Sequence, residues 1–446
     1  MLRLSWTQPE DLAPHALRAA RLDGIDVGDL ERTWVSAGGS LTPPVSGATP
    51  DPASVWQRKL AREILSRVDE YPVPLELSRT EPDDLETILA ATTPVPARSA
   101  PAELADRLHG AWLGRAAGCL LGKPVEKIPR EGIRAIARAT GNWPVAGYFT
   151  EVGLPAELAA RYPWNRRSRP TSLVENIDGM PEDDDLNFPL IALDLLERHG
   201  NGFTTADVAQ SWLANLPGGR VFTAERIAYR NLLDGYEPDQ AGRVGNPFRD
   251  WIGAQIRTDV YGWAHPGDPV TAARLAWTDA RLSHGRNGVY GAMFAAAACA
   301  AAVVVDNVSE VIEAGLSVVP PGSRYAAAID LGVSLGGLST EDALDVLYDN
   351  YGHLHWVHVL NNAALLAYAL VRGAGDYSTT ITTAVTGGWD TDSVGATAGS
   401  IAGALTGAAA LPGQWIEPLH NRLASTIPGF DGIGFDTLTE RTLALT

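Results

Sequence analysis

The chain has 446 residues, 45% of them hydrophobic and 20% charged, with a net charge of −18 at neutral pH. That is the composition of a globular protein large enough for one big domain or two to three ordinary ones. The negative charge argues against nucleic-acid and anionic-membrane partners, whose phosphates it repels, and favours cations, metals included. The two cysteines, Cys119 and Cys299, each lie in an apolar, helix-like run. They are read as separate buried thiols, which points to a reducing cytoplasm. The N-terminus lacks the apolar core and small-residue cleavage site of a signal peptide.

Residues 1–100 are proline-rich and mixed in pattern. DLAPHALRAARLDG and SVWQRKLAREILSRVDEY have helical spacing and flank SAGGSLTPPVSGATPDPAS, a loop by composition. The region is expected to be a helical and irregular N-terminal extension. From residue 101 to 446 the texture is that of one compact, many-helix, all-α domain. Its first helix is apolar-faced, in SAPAELADRLHGAWLGRAAGCLLG, with Ser99 placed to cap it. A short helix is expected over 132–139. Residues 141–171, with Pro144, Pro155, Pro163 and Pro170, are predicted to be irregular, as lids and binding loops are. A succession of helices with short connections follows. The most apolar segments, 291–305 and 394–411, are short or diluted by small polar residues. A membrane span needs roughly 20 strongly apolar residues, so both are read as buried helices.

Three segments carry chemistry. The first is GRAAGCLLGKPVEKIP, where a helix ends near Gly122 and Glu126 follows. The second is the acid run of Glu182, Asp183, Asp184 and Asp185, set against an apolar helix over 186–196. Acids favour a helix's first turn, but here they lie at the edge of a core. The third is GGWDTDS, followed by a helix of Gly, Ala, Ser and Thr. Gly395, Gly399, Gly403 and Gly407 recur every four residues there, a stripe suited to a closely packed neighbour. One aspartate could cap that helix. Asp390 and Asp392 together, with Thr391 and Ser393, are more oxygen ligands than a cap requires. Hard cations take such donors, and divalent ions would resolve the repulsion between two converging acid clusters.

These segments, in this order, resemble the ADP-ribosylglycohydrolase family, the dinitrogenase-reductase-activating glycohydrolases and their relatives. Gly114, Gly118, Gly122, Pro124 and Glu126 match the family's G-x-x-x-G-D-x-x-G-x-P-x-E start, with Cys119 where the family has Asp. Glu182 to Asp185 stand at its T-D-D-T motif, so Glu182 and Asp185 replace threonines. Gly387 to Ser393 stand at its G-G-D-T-D-T/S motif, with Trp389 inserted. LSHGRNGVYGAMFAAAACAAA resembles its S/T-H-G helix, with His284 in place. The resemblance implies an all-α fold and two Mg²⁺ ions, or Mn²⁺, held by Glu182, Asp183, Asp184, Asp390, Asp392 and Ser393. It implies hydrolysis of a bond at ribose C1, with Glu126 or Asp184 taking the proton from the attacking water.

His284, Trp389, His358, Asn361 and Arg166 are the expected substrate contacts. Trp389 is placed either to stack on a ring or to serve as a core or rim aromatic. Lys123, Lys127, Arg166, Arg167 and Arg169 border the expected cleft and suit a phosphate. His353, His355 and His358, at i, i+2 and i+5, do not share one helical face, which argues against a zinc site. The expected substrate is an ADP-ribosylated protein or an ADP-ribose conjugate. A small N-riboside or nucleotide-derived metabolite is the enzymatic alternative, and a non-catalytic ADP-ribose-binding or J-crystallin-like structural member the other. Oligomeric state is not legible.

Overall fold

The computed structural model describes residues 3–446. Among them the regular structure is helical: no β-ladder forms, and extended pairing is confined to isolated bridges such as Met180 with Leu423 and Trp251 with His358. The fold is all-α, as the helical spacing predicted.

At its centre the helices Leu104–Gly122 and Thr391–Thr406 lie against each other, backbone to backbone. Glycines permit this. Gly110, Gly114 and Gly118 on one helix face Gly403, Gly399 and Gly395 on the other, and a Cβ at any of them would fall on the opposing backbone. Glycine inside a helix costs about 0.5–1 kcal/mol relative to alanine, so the ladder serves close approach rather than helix stability. Gly122 meets the backbone of Thr391, whose Oγ1 donates to the Gly122 carbonyl at 2.8 Å. Gly407, the last glycine of the sequence stripe, is not part of the ladder. It ends its helix at φ 76° beside Asp106.

Around this pair lie Val359–Gly373, Tyr377–Thr386 and the alanine-rich helix Arg286–Ala302, in which every residue is buried. A helix apolar on all sides is one surrounded by others. No helix among the described residues is long and apolar enough to cross a membrane. The helix Asp184–His199 begins at the acid run, where the Asp183 side chain accepts the Asp185 N–H at 3.0 Å as an N-cap.

Before residue 100, Pro9–Leu22, Gly28–Ser36 and Val55–Glu70 enclose a small core that includes Leu17, Leu30, Trp34 and Ile64. Leu12 and Ala16 of the first of these helices and Leu65 of the third, with Trp6 ahead of them, join the main core. Asp23 pairs with Arg286 and with Arg324, and Glu81 pairs with Arg324 at 2.7 Å. The loop after the second helix reaches Trp356, whose indole donates to the Val45 carbonyl at 3.0 Å. Residues 141–171 are irregular apart from short helical turns such as Ala156–Arg161. They lie along the end of the first central helix, where the Asn165 N–H donates to the Pro124 carbonyl at 3.1 Å.

Candidate metal centre and active site

The glycine ladder brings the end of Leu104–Gly122 beside the start of Thr391–Thr406, and two sets of donors converge there. Glu126, Asp390 and Asp392 each offer a carboxylate oxygen, all within 4.8 Å of one another. Cys119, Asp183 and Asp185 form the second set, by the same measure.

Local structure aims each of them. Gly388 at φ 79° and Trp389 at φ 62° turn the chain sharply into the glycine helix. The left-handed region is uncommon for a residue other than glycine. Trp389 is held in it by stacking on Tyr348, with ring centroids 4.4 Å apart and planes 15° from parallel. Asp390 then occupies the N-cap position but makes no cap hydrogen bond with its side chain. Capping therefore does not account for it. Its own N–H donates to Asn362 Oδ1 at 3.2 Å. Asp392 Oδ1 accepts the Ser393 N–H at 3.1 Å, and Ser393 Oγ donates to Asp185 Oδ2 at 3.3 Å. Glu126 follows the 3₁₀ turn Lys123–Val125. Its carboxylate accepts from Asn165 Nδ2 and lies 3.1 Å from Lys127 Nζ.

Packing like charges in a core shows in their proton affinities. Burial raises Asp390 well above the usual carboxylate range, and Asp392 and Glu126 add to this. Asp392 is pushed up to about 7, by burial and then by Glu126 and Asp183. Asp184 and Asp185 are raised by burial and then by Asp183 and Asp392. Asp183 moves the other way. Burial opposes its charge, but the Lys123 ammonium bonded to Oδ2 outweighs burial and lowers it. Burial also opposes the charge on Lys123, and Asp183 again prevails. Burial, with Asp183 and Asp185, raises the Cys119 thiol well above its ordinary value.

The sequence expectations divide on this geometry. Asp183, Asp390, Asp392, Ser393 and Glu126 come together. Asp184 starts its helix within the same acidic field, and among the described residues no other side chain hydrogen-bonds its carboxylate. Glu182 is a correction: it turns away, pairing with Arg220 Nη1 and accepting from Asn187 Nδ2, both at 2.8 Å. His284 is another. Its side chain has no exposure and sits with Ser283 and Glu225 inside the core, where burial keeps it neutral, so it cannot meet a substrate in this conformation. Asn361 is fully buried and donates to the His355 carbonyl at 3.2 Å. His358 caps Val359–Gly373, accepting from the Leu360 N–H, and burial lowers it to about 4. Trp389 packs on Tyr348 with 7% exposure, a core aromatic rather than an open platform. Arg166 is exposed beside Asn165 and forms no ion pair among the described residues.

Sequence reading missed Asn165, Asn362 and Arg115. The signal for Asn362 was present, since two adjacent amides open an otherwise apolar helix, but it pointed equally to Asn361. Arg115, buried at mid-helix, donates to the Asp185 carbonyl at 2.8 Å and pairs with Asp259 at 2.6 Å. A cavity of about 310 Å³ under the N-terminal helices shares no lining residue with the carboxylates.

Glu126, half-buried, and Asp390 and Asp392, both buried, present mutually repelling hard oxygen donors, which is the chemistry of a divalent-cation site. The second set fits such an ion poorly, with a protonated thiol and an ammonium already on Asp183. An all-helical protein with a buried carboxylate centre at the mouth of a glycine helix is the class this geometry defines. The family model for ADP-ribosylglycohydrolase matches residues 100–444, and the chain belongs to that family, one of glycohydrolases. An uncharacterized protein of Archaeoglobus fulgidus is 25% identical over 320 residues, spanning 71% of this chain and 92% of its relative. A solved structure described as an ADP-ribosylglycohydrolase-related protein complex is 23% identical, covering 77% of this chain and 98% of its own, with a TM-score of 0.47.

Proposed function

We propose that the protein is a divalent-metal-dependent glycohydrolase that cleaves an N- or O-glycosidic bond at ribose C1, with an ADP-ribosylated protein or ADP-ribose conjugate as substrate. The observation that carries this is the meeting of Glu126, Asp390 and Asp392, with Asp390 relieved of any capping role. These three would hold a Mg²⁺ or Mn²⁺ ion, which supplies a Lewis acid and a template for ribose hydroxyls and water.

The chain's own groups do the rest. Glu126 is fixed between Asn165, Lys127 and the two aspartates, and we assign it removal of a proton from the attacking water. Asp184, engaged by no other side chain among the described residues, is the second carboxyl able to move a proton. Departure of the leaving group builds oxocarbenium-like charge on the ribose, which the surrounding carboxylates stabilise. Glu182 does not load this centre with charge, because Arg220 meets it. Arg166 and Arg167, exposed on the segment that touches Glu126, suit the pyrophosphate of ADP-ribose. A purely structural role would leave the buried carboxylates uncompensated, which is strongly unfavourable.

The test is ADP-ribose release from arginine- and serine-ADP-ribosylated peptides, with Mg²⁺ and with EDTA, for wild type and Asp390→Asn. Magnesium-dependent release, lost in the variant, is expected. Release that survives both EDTA and the substitution would refute the site. No release from either peptide, with the ion still bound, would redirect the assignment to a small N-riboside.

A further inference from the structure

We infer that the Lys123 ammonium is a built-in cation of this centre, so that the chain takes one divalent ion, at Glu126, Asp390 and Asp392, and not a second at Cys119, Asp183 and Asp185. This rests on the metal-dependent reading above and concerns how many ions that reading requires.

The two donor sets differ in what already neutralises them. In the first, Asp390 is 5% exposed, makes no cap hydrogen bond, and has a second carboxylate, Asp392, beside it. The neighbouring protein cation is Lys127, which reaches Glu126 at 3.1 Å, lies over the Trp356 ring and keeps 37% of its side chain exposed. Three carboxylates against one lysine leave a local deficit of two charges. One divalent ion fills it.

In the second set the place is taken. Lys123 is 5% exposed, its Nζ bonds Asp183 Oδ2, and it also donates to the Glu182 carbonyl at 3.2 Å. It starts the 3₁₀ turn Lys123–Val125 that follows the glycine ladder, so its backbone is fixed where Gly122 meets Thr391. A divalent ion bound to Asp183 would have to sit against that ammonium or expel it from an enclosed position. The remaining donors do not favour the exchange. Cys119 Sγ is a soft ligand, and hard cations prefer oxygen. Asp185 Oδ2 already accepts from Ser393 Oγ, and Arg115 Nη2 lies 3.7 Å from Oδ1. Lysine is suited to this substitution: a compact point charge on a flexible stem occupies the volume of an ion without demanding its coordination geometry.

The measurement is Mn²⁺ stoichiometry of the full-length metal-free protein, by metal analysis after gel filtration and by electron paramagnetic resonance. Wild type and Lys123→Arg are expected to bind one Mn²⁺ per chain and to show the six-line spectrum of an isolated ion. Lys123→Ala is expected to admit a second, doubling the stoichiometry and giving an exchange-coupled spectrum. Two coupled ions in wild type would overturn the inference and leave the glycohydrolase reading intact. One ion in both wild type and a folded Lys123→Ala would also overturn it, because Lys123 would then not be what excludes the second. No bound Mn²⁺ in wild type would overturn the metal-dependent reading itself. The wild-type result decides between one ion and two even if Lys123→Ala does not fold.

Discussion

Asp392 ties the stability of the metal-free protein to pH, and the size of the effect can be worked out. Its carboxyl is pushed from 3.8 up to about 7, first by burial and then by Glu126 and Asp183. The folded state thus keeps a proton that the unfolded chain releases near pH 4. Where the unfolded state binds fewer protons, stability falls as pH rises. The loss starts near pH 4, runs to about pH 7 and is complete above it. Three units at about 1.36 kcal/mol each make it about 4 kcal/mol. Asp392→Asn keeps an Oδ1 acceptor for the Ser393 N–H and removes the ionisation. In EDTA the variant should match wild type near pH 4 and exceed it by up to about 4 kcal/mol at pH 8. Saturating Mg²⁺ should stabilise wild type at pH 8, by about 2.7 kcal/mol at a hundred times the dissociation constant, and leave the variant unmoved. Urea denaturation followed by circular dichroism from pH 4 to pH 8, with EDTA or with Mg²⁺, measures both effects. A difference between variant and wild type that stays constant across this range would refute the reasoning, since Asp392 would then act as a plain hydrogen-bond acceptor.

Gly118→Ala places a Cβ on the Gly395 carbonyl and must part the two central helices; a loss of about 1–3 kcal/mol in thermal or urea unfolding is expected, together with weaker Mn²⁺ binding. Asn362→Ala removes the acceptor for the Asp390 N–H and should weaken Mn²⁺ binding several-fold in calorimetry with little change in helix content. His358 is held neutral by burial, down to about 4 from an ordinary 6.5. Its contribution is present above pH 6.5 and is lost as pH falls to about 4. The loss is up to about 3 kcal/mol, and His358→Gln should flatten that limb of the stability profile.

The late motif was legible because its residue types contradict their setting. Two aspartates at the head of a helix that is otherwise small and apolar exceed what capping needs, and the structure removes even the single cap from the account at Asp390. The glycine stripe was legible for a related reason, since repeated glycine makes a poor helix unless something must come close. The all-α class followed from periodicity, which burial on one face writes into sequence directly. The seating of residues 1–100 was not legible. It depends on Trp6, Asp23 and Glu81 finding partners more than two hundred residues away, and no local pattern announces those partners.

The acid run shows where sequence reading stops for a physical reason. Successive residues at a helix start point about 100° apart, so four consecutive acids cannot all reach one ion. Their number predicts that some must diverge; which ones depends on what the fold sets against each. Arg220 draws Glu182 aside, Lys123 takes Asp183, Ser393 reaches Asp185, and Asp184 is left without a side-chain partner among the described residues. Lys123 was visible only as one of several basic residues near the expected cleft. Its burial against Asp183 follows from the 3₁₀ turn after Gly122, and that turn lies where it does because the glycine ladder ends there. The identity of the donors was thus readable from composition at the motifs, whereas their charge state, and with it the number of ions the centre can hold, is a consequence of tertiary packing.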